Sequence, residues 1–163
     1  MIPKHFIYHV RVVTLAPILV HASDSVRESI IDQLAPDCRD ERAEVIAMLA
    51  EGAALATRTA AEADLEAERS WLERRSWWPW KKSLAGVEFR PSWPEDAAPG
   101  VVAAEQITAA LASERKPDAF ALMTPWIEGQ RSDAEVRVLL VELAKMIRAR
   151  HEMYCTPGEG PSR

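Results

Sequence analysis

At 163 residues, with 48% hydrophobic and 28% charged side chains, the chain is long enough for one domain with a real core and too apolar to be intrinsically disordered. A net charge of −5 excludes a surface that is cationic all over, as a nucleic-acid platform would be, although it leaves room for a local basic patch. Two cysteines, Cys38 and Cys155, do not make a disulfide framework, so a reducing, cytoplasmic setting is the expectation.

Phe6, Tyr8, Val10 and Val12 alternate with Ile7, His9, Arg11 and Val13, which predicts a half-buried strand. After Ala16-Pro17, Ile18 to Val20 is expected to return as a second strand, giving a strand or hairpin over about 5–20. The same run is the one stretch that resembles a membrane or leader segment. It is shorter than the ~20 residues a span needs, and it carries His9 and Arg11. Lys4 before it and Ala22 after it suit a signal peptide, but Arg11 inside the apolar stretch favours a buried strand.

Ser25 and Glu28 form a capping-box pattern, and Val26, Ile30 and Leu34 then repeat every four residues as far as Pro36, predicting a short amphipathic helix. From Asp37 to Arg75 there is no proline and only one glycine, Gly52, among many alanine, glutamate and arginine residues. These are strong helix formers, so one long helix is expected over about 38–75, with a bend expected at Gly52 if anywhere. Ile46, Leu49, Ala53, Ala56, Ala60, Ala63 and Ala67 step by three and four along it as a heptad seam. Methyl groups on a seam allow a close partner, and a tight antiparallel pair within the chain is the expectation, in preference to an intermolecular coiled coil.

Pro79, Pro91, Pro94 and Pro99 break the pattern across 76–100, where no helix is expected. Helical spacing returns from Val101 to Arg115 through Ala104, Ile107 and Leu111, and Asp118 to Met123 adds a turn before Pro125. Ser132 and Glu135 form a second capping box at the head of a C-terminal helix over about 133–154, whose stripe is Val136, Leu140, Leu143 and Ile147. Lys145, Arg148 and Arg150 suit the negative end of its dipole. The fold class is therefore mainly α: a small helical bundle forming one domain over 1–154, with a tail at 155–163.

The six glycines are scattered, so no phosphate-cradling loop is present, and neither Gly-x-Ser-x-Gly nor His-Glu-x-x-His occurs. His151 and Cys155, four apart, are half a metal site that His5, His9, His21 or Cys38 would have to complete. Glu62, Asp64 and Glu66 have the spacing of a solvated helix face rather than of an acid–base pair. No catalytic residue, metal or cofactor is expected, and the chain is read as not an enzyme.

One constellation departs from a plain core. Arg69, Arg74, Arg75, Lys81 and Lys82 stand against a single carboxylate, Glu73, beside Trp71, Trp77, Trp78 and Trp80, whereas Asp40 to Glu68 holds eight acidic residues and two arginines. Trp-Trp-Pro-Trp-Lys resembles the core of tryptophan-rich antimicrobial peptides over its five residues, which suits a membrane interface. Aromatics among cations also suit stacking on unpaired bases of a single-stranded nucleic acid. Tryptophan and arginine are, finally, enriched at the energetic centres of protein interfaces, and the blandest reading folds the indoles back as a cap on the bundle. An acidic chain repels both polyanions, so the preferred functional reading is a non-catalytic adaptor, inhibitor or assembly component. It would present Arg74, Arg75, Trp77, Trp78, Trp80, Lys81, Lys82 and Trp93 to a larger protein.

Overall fold

The computed structural model describes residues 18–19, 21–34, 39–73, 84 and 86–155. The expected strand over 6–13 and the tail over 156–163 lie outside these residues. Among the described residues there is no strand, and no helix is long and apolar enough to cross a membrane. Five helices among the described residues form the bundle: α1 (Asp24–Leu34), α2 (Arg39–Glu73), α3 (Pro99–Ala112), α4 (Lys116–Ile127) and α5 (Asp133–Cys155).

The expected second strand from Ile18 is not formed at Ile18 and Leu19. Ile18, Leu19 and His21 are helical, with the Ala22 N–H donating to the Ile18 carbonyl at 3.0 Å. Leu19 is fully buried in the core. The buried Arg27 holds this turn from α1, donating to the Leu19 and Ala22 carbonyls (3.3 and 2.9 Å) and to Asp24 (2.6 Å). Spreading a buried guanidinium over several acceptors is how its desolvation is offset. Arg148 of α5 donates to the same Ala22 carbonyl at 2.9 Å. Because α1 starts at Asp24, Ser25 sits inside the first turn and not ahead of it.

The long helix is present, and it continues through Gly52. Its partner is α5, as the match of methyl seam to bulky stripe implies, but the expected antiparallel arrangement is wrong. Arg42 pairs with Asp133 at 3.0 Å near the start of both helices, and ten residues further along α2 and fourteen further along α5, a Cβ on Gly52 would lie 3.0 Å from Ile147 Cδ1. The two helices are therefore parallel. So is α3, whose Gly100 lies against Glu135 to Leu139 and whose Thr108 hydroxyl meets Met146 Sδ at 3.8 Å. Two helices run the other way. α4 brings Glu128 back to Arg39 (3.2 Å), and α1 sets Asp32 beside Arg137 (2.9 Å) while Ala22 sits by Arg148.

A parallel α2–α3 pair requires a crossover, and the proline-rich segment supplies it. The Phe89 N–H donates to Ser113 Oγ (2.8 Å) at the far end of α3, and the non-helical residues 90–98 lead back to Pro99 at its near end. Nine extended residues reach up to about 30 Å, which spans the roughly 21 Å of a 14-residue helix with slack.

Buried Ile46, Leu49, Ile107, Leu139, Leu140 and Leu143 are the heart of the core. Fully burying each such side chain contributes about 1.5–3 kcal/mol. At Gly100, where α3 crosses α5, an added Cβ would come within 2.8 Å of the Leu139 backbone nitrogen. The seam of α2 is buried only as far as Ala60, and Ala67 is exposed.

α4 is longer than the single turn expected before Pro125 and passes through that proline. Pro125 has no N–H to donate to the Ala121 carbonyl one turn back, and the neighbouring Thr124 hydroxyl donates to the Phe120 carbonyl at 2.9 Å. Both helices of the α3–α4 hairpin end on a left-handed residue followed by a six-to-one backbone bond, which after α4 runs from the Gln130 N–H beyond Gly129 to the Pro125 carbonyl at 3.2 Å. After α3, the Arg115 N–H donates to the Ala110 carbonyl (2.8 Å) and the Glu114 N–H to that of Leu111 (3.0 Å), with Glu114 at a left-handed φ of 61°. Arg58 of α2 binds this corner through the Ala112 carbonyl (3.1 Å) and the Glu114 carboxylate (2.8 Å).

Candidate functional site

Of the eight residues expected to meet a partner, Arg74, Arg75, Trp77, Trp78, Trp80, Lys81 and Lys82 lie outside the described residues, and Trp93 lies inside them. Trp93 sits on the crossover between Pro91 and Pro94 and is 38% exposed. The fixed φ of two prolines and the Phe89–Ser113 bond restrict the backbone that carries it. This indole is thus held at the surface and is not enclosed.

A second feature was not anticipated. The facing sides of α3 and α4 leave an apolar cleft of about 370 Å³, walled by Val102 and Ala103 on one side and Leu122, Pro125 and Trp126 on the other. Trp126 forms its floor, and Arg131 stacks over the indole with its guanidinium carbon 5.2 Å from the ring centroid. A cation over an indole is attracted by the ring face, and its N–H groups can still serve acceptors. Gln106 lies toward the other end of the cleft, seven residues up α3 from Pro99. Beside the cleft Phe120 is 65% exposed.

No family model, curated protein or solved structure matches the chain.

Glu135 has the most clearly shifted titration. Its carboxylate accepts from the Ser132 N–H (3.0 Å) and the Ser132 hydroxyl (2.9 Å), while its own N–H donates to Ser132 Oγ (3.3 Å). The Ser132 backbone bond, then the hydroxyl, then Arg131 hold the carboxyl below its ordinary value of 4.5. This is the reciprocal capping box expected from the sequence, and its role is to start α5.

Among the described residues, no group of three or more His, Cys, Asp or Glu side chains is placed to hold a metal ion. His151 and Cys155 fall in the last turns of α5, whereas His5, His9 and Cys38 lie outside the described residues. Glu62, Asp64 and Glu66 are exposed on α2, as a solvated face requires. Sequence reading missed Trp126, Arg131 and Gln106 as a group, because they come together only when α3 and α4 face each other and the turn after α4 folds Arg131 back.

Proposed function

We propose that the chain is a non-catalytic interaction module, an adaptor, inhibitor or assembly component, which presents the segment 76–100 to a larger protein. The observation that supports this reading most directly is Trp93, a large indole left 38% exposed on a proline-restricted crossover. An ordered aromatic at the surface gives a partner contact area at little cost in side-chain entropy, which is why tryptophan dominates interface energetics. The cations Arg74, Arg75, Lys81 and Lys82 would flank that contact in sequence and set its orientation.

The test is capture of partners from the native host, with the full chain, a Trp78→Ala/Trp80→Ala double variant and a Trp93→Ala variant. The expected result is a large loss of the captured protein in all variants while far-UV circular dichroism is unchanged. Helicity that collapses together with capture would show that the indoles belong to the core and sink the proposal. Capture of nucleic acid whose affinity falls steeply with salt, or a blue shift of tryptophan emission on anionic vesicles, would transfer the segment to one of the two other surfaces it suits.

A further inference from the structure

We propose that the α3–α4 cleft is a binding site for a medium-length amphipathic carboxylate, with its apolar stem between the helices and its carboxylate on Arg131. The site is independent of the crossover segment. Its volume of about 370 Å³ falls at the small end of the range for small-molecule pockets, and its walls are Val102, Ala103, Leu122, Pro125 and Trp126. An apolar body is what such walls exclude from water.

The charge of the ligand follows from how the neighbouring ions are already paired. Arg42 takes Asp133 at 3.0 Å and Arg39 takes Glu128 at 3.2 Å. Glu135 is satisfied mainly by Ser132, and its contact with Arg131 is stretched to 3.5 Å. Arg131 thus lines the cleft with most of its five donors uncommitted, its guanidinium carbon 5.2 Å from the centroid of the Trp126 ring. The fork of a guanidinium is matched to a carboxylate, which can take two parallel N–H bonds.

The length follows from the spacing of the two polar ends. Pro99, on the Arg131 side, and Gln106 are seven residues apart on α3, or about 10 Å, roughly the span of an extended eight-carbon chain. The Gln106 side chain makes no hydrogen bond with any described residue, so its amide is available to whatever terminates the stem. A free acid and the C-terminal carboxylate of an apolar peptide share this chemistry.

The experiment is a titration of the isotopically labelled full chain, followed by NMR, with octanoate, with octylammonium, and with acetyl-Leu-Leu-Leu bearing a free C-terminal carboxylate. Saturable shifts confined to Val102, Leu122 and Trp126 are expected with octanoate or the peptide, and the tighter of the two identifies the source. Arg131→Gln should raise the apparent Kd about tenfold, the effect of losing a charge-assisted contact of about 1.4 kcal/mol. Val102→Phe, which fills the cleft and leaves Arg131 in place, should abolish the shifts while the spectrum stays dispersed. Equal binding of octylammonium would overturn the proposal, as would shifts unaffected by either substitution or no saturable shift with either carboxylate.

Discussion

The two ends of α2 share a heptad register, yet one end is core and the other is not. Ile46, Leu49, Ala53 and Ala60 are buried, while Ala63 is half-buried and Ala67 exposed. The cause lies in the partners. Cys155, the last residue of α5, is eight residues beyond Ile147, and Ala60 is eight beyond Gly52, so in this parallel pair α5 ends level with Ala60. α3 stops at the same height, where Arg58 holds Ala112 and Glu114. The 13 residues of α2 after Ala60 therefore extend roughly 20 Å past both partners. A seam in sequence becomes a seam in structure only where another helix is long enough to cover it.

The strongest way to break this comparison is to remove the same side chain at each end. Leu49→Ala leaves a cavity between α2 and α5 and should destabilise by about 2–5 kcal/mol. Leu65→Ala, at a half-buried position beyond the partners, should cost under about 1 kcal/mol. Urea denaturation of both variants checks this; equal losses would mean that the distal end is covered as thoroughly as the proximal one. The converse pair is sharper in sign. Ala53→Leu must force bulk into a closed contact and should cost about 1–3 kcal/mol, whereas Ala67→Leu should be near neutral.

Much of this was legible from residue types, and the limits were physical. The boundaries of α2 and α5 followed from helix formers and from Ser132 and Glu135, since propensity and capping are local. The direction of pairing was not local. A stripe at three-and-four spacing has the same form whichever way its partner runs, so Ala53 and Leu143 could identify each other as neighbours without specifying a parallel arrangement. Within the proline-rich segment the described residues 86–98 are non-helical as expected, whereas Pro99 and Gly100 already belong to α3; the use of this stretch as a crossover depends on Phe89 finding Ser113, 24 residues away. Pro125 was read as a stop because an interior proline usually is one; in the last turn of α4 it is not. The cleft was invisible for a similar reason, since Gln106, Trp126 and Arg131 carry no shared spacing.

The glycines that mark the helix contacts allow a smaller test. Gly100→Ala sets a methyl 2.8 Å from the Leu139 nitrogen and 3.0 Å from the Glu135 carbonyl, both backbone atoms that cannot yield without moving α5. A loss of about 1–3 kcal/mol is expected, read as a lower midpoint with an unchanged slope in urea. At Gly52 the obstacle is Cδ1 of Ile147, the mobile tip of a side chain, and alanine gains up to about 1 kcal/mol of helix propensity there. Gly52→Ala should therefore be close to neutral. A large loss at Gly52 would show that α2 and α5 are as tightly locked as α3 and α5.

The smallest effect tests where the covered seam begins, because α5 can cover α2 only from the point at which α5 itself is helical. Ser132→Ala removes the cap and should cost about 1 kcal/mol. The paired carboxylate gives the cap a pH signature whose sign is fixed. In the folded chain the Glu135 carboxyl is held below 4.5 by the Ser132 backbone and hydroxyl bonds, so its contribution is complete above that ordinary value and is lost as pH falls through the lowered one. Glu135→Gln keeps a side chain able to accept from Ser132 but cannot be protonated in this range. Its stability relative to the parent should therefore improve as pH drops below 4.5, and hydrogen exchange at Glu135 and Val136 should report the change before any probe in α2 does. If the difference between parent and variant were flat with pH, the capping carboxylate would not be coupled to the start of α5, and the near limit of the seam would have to be set by the Arg42–Asp133 pair instead.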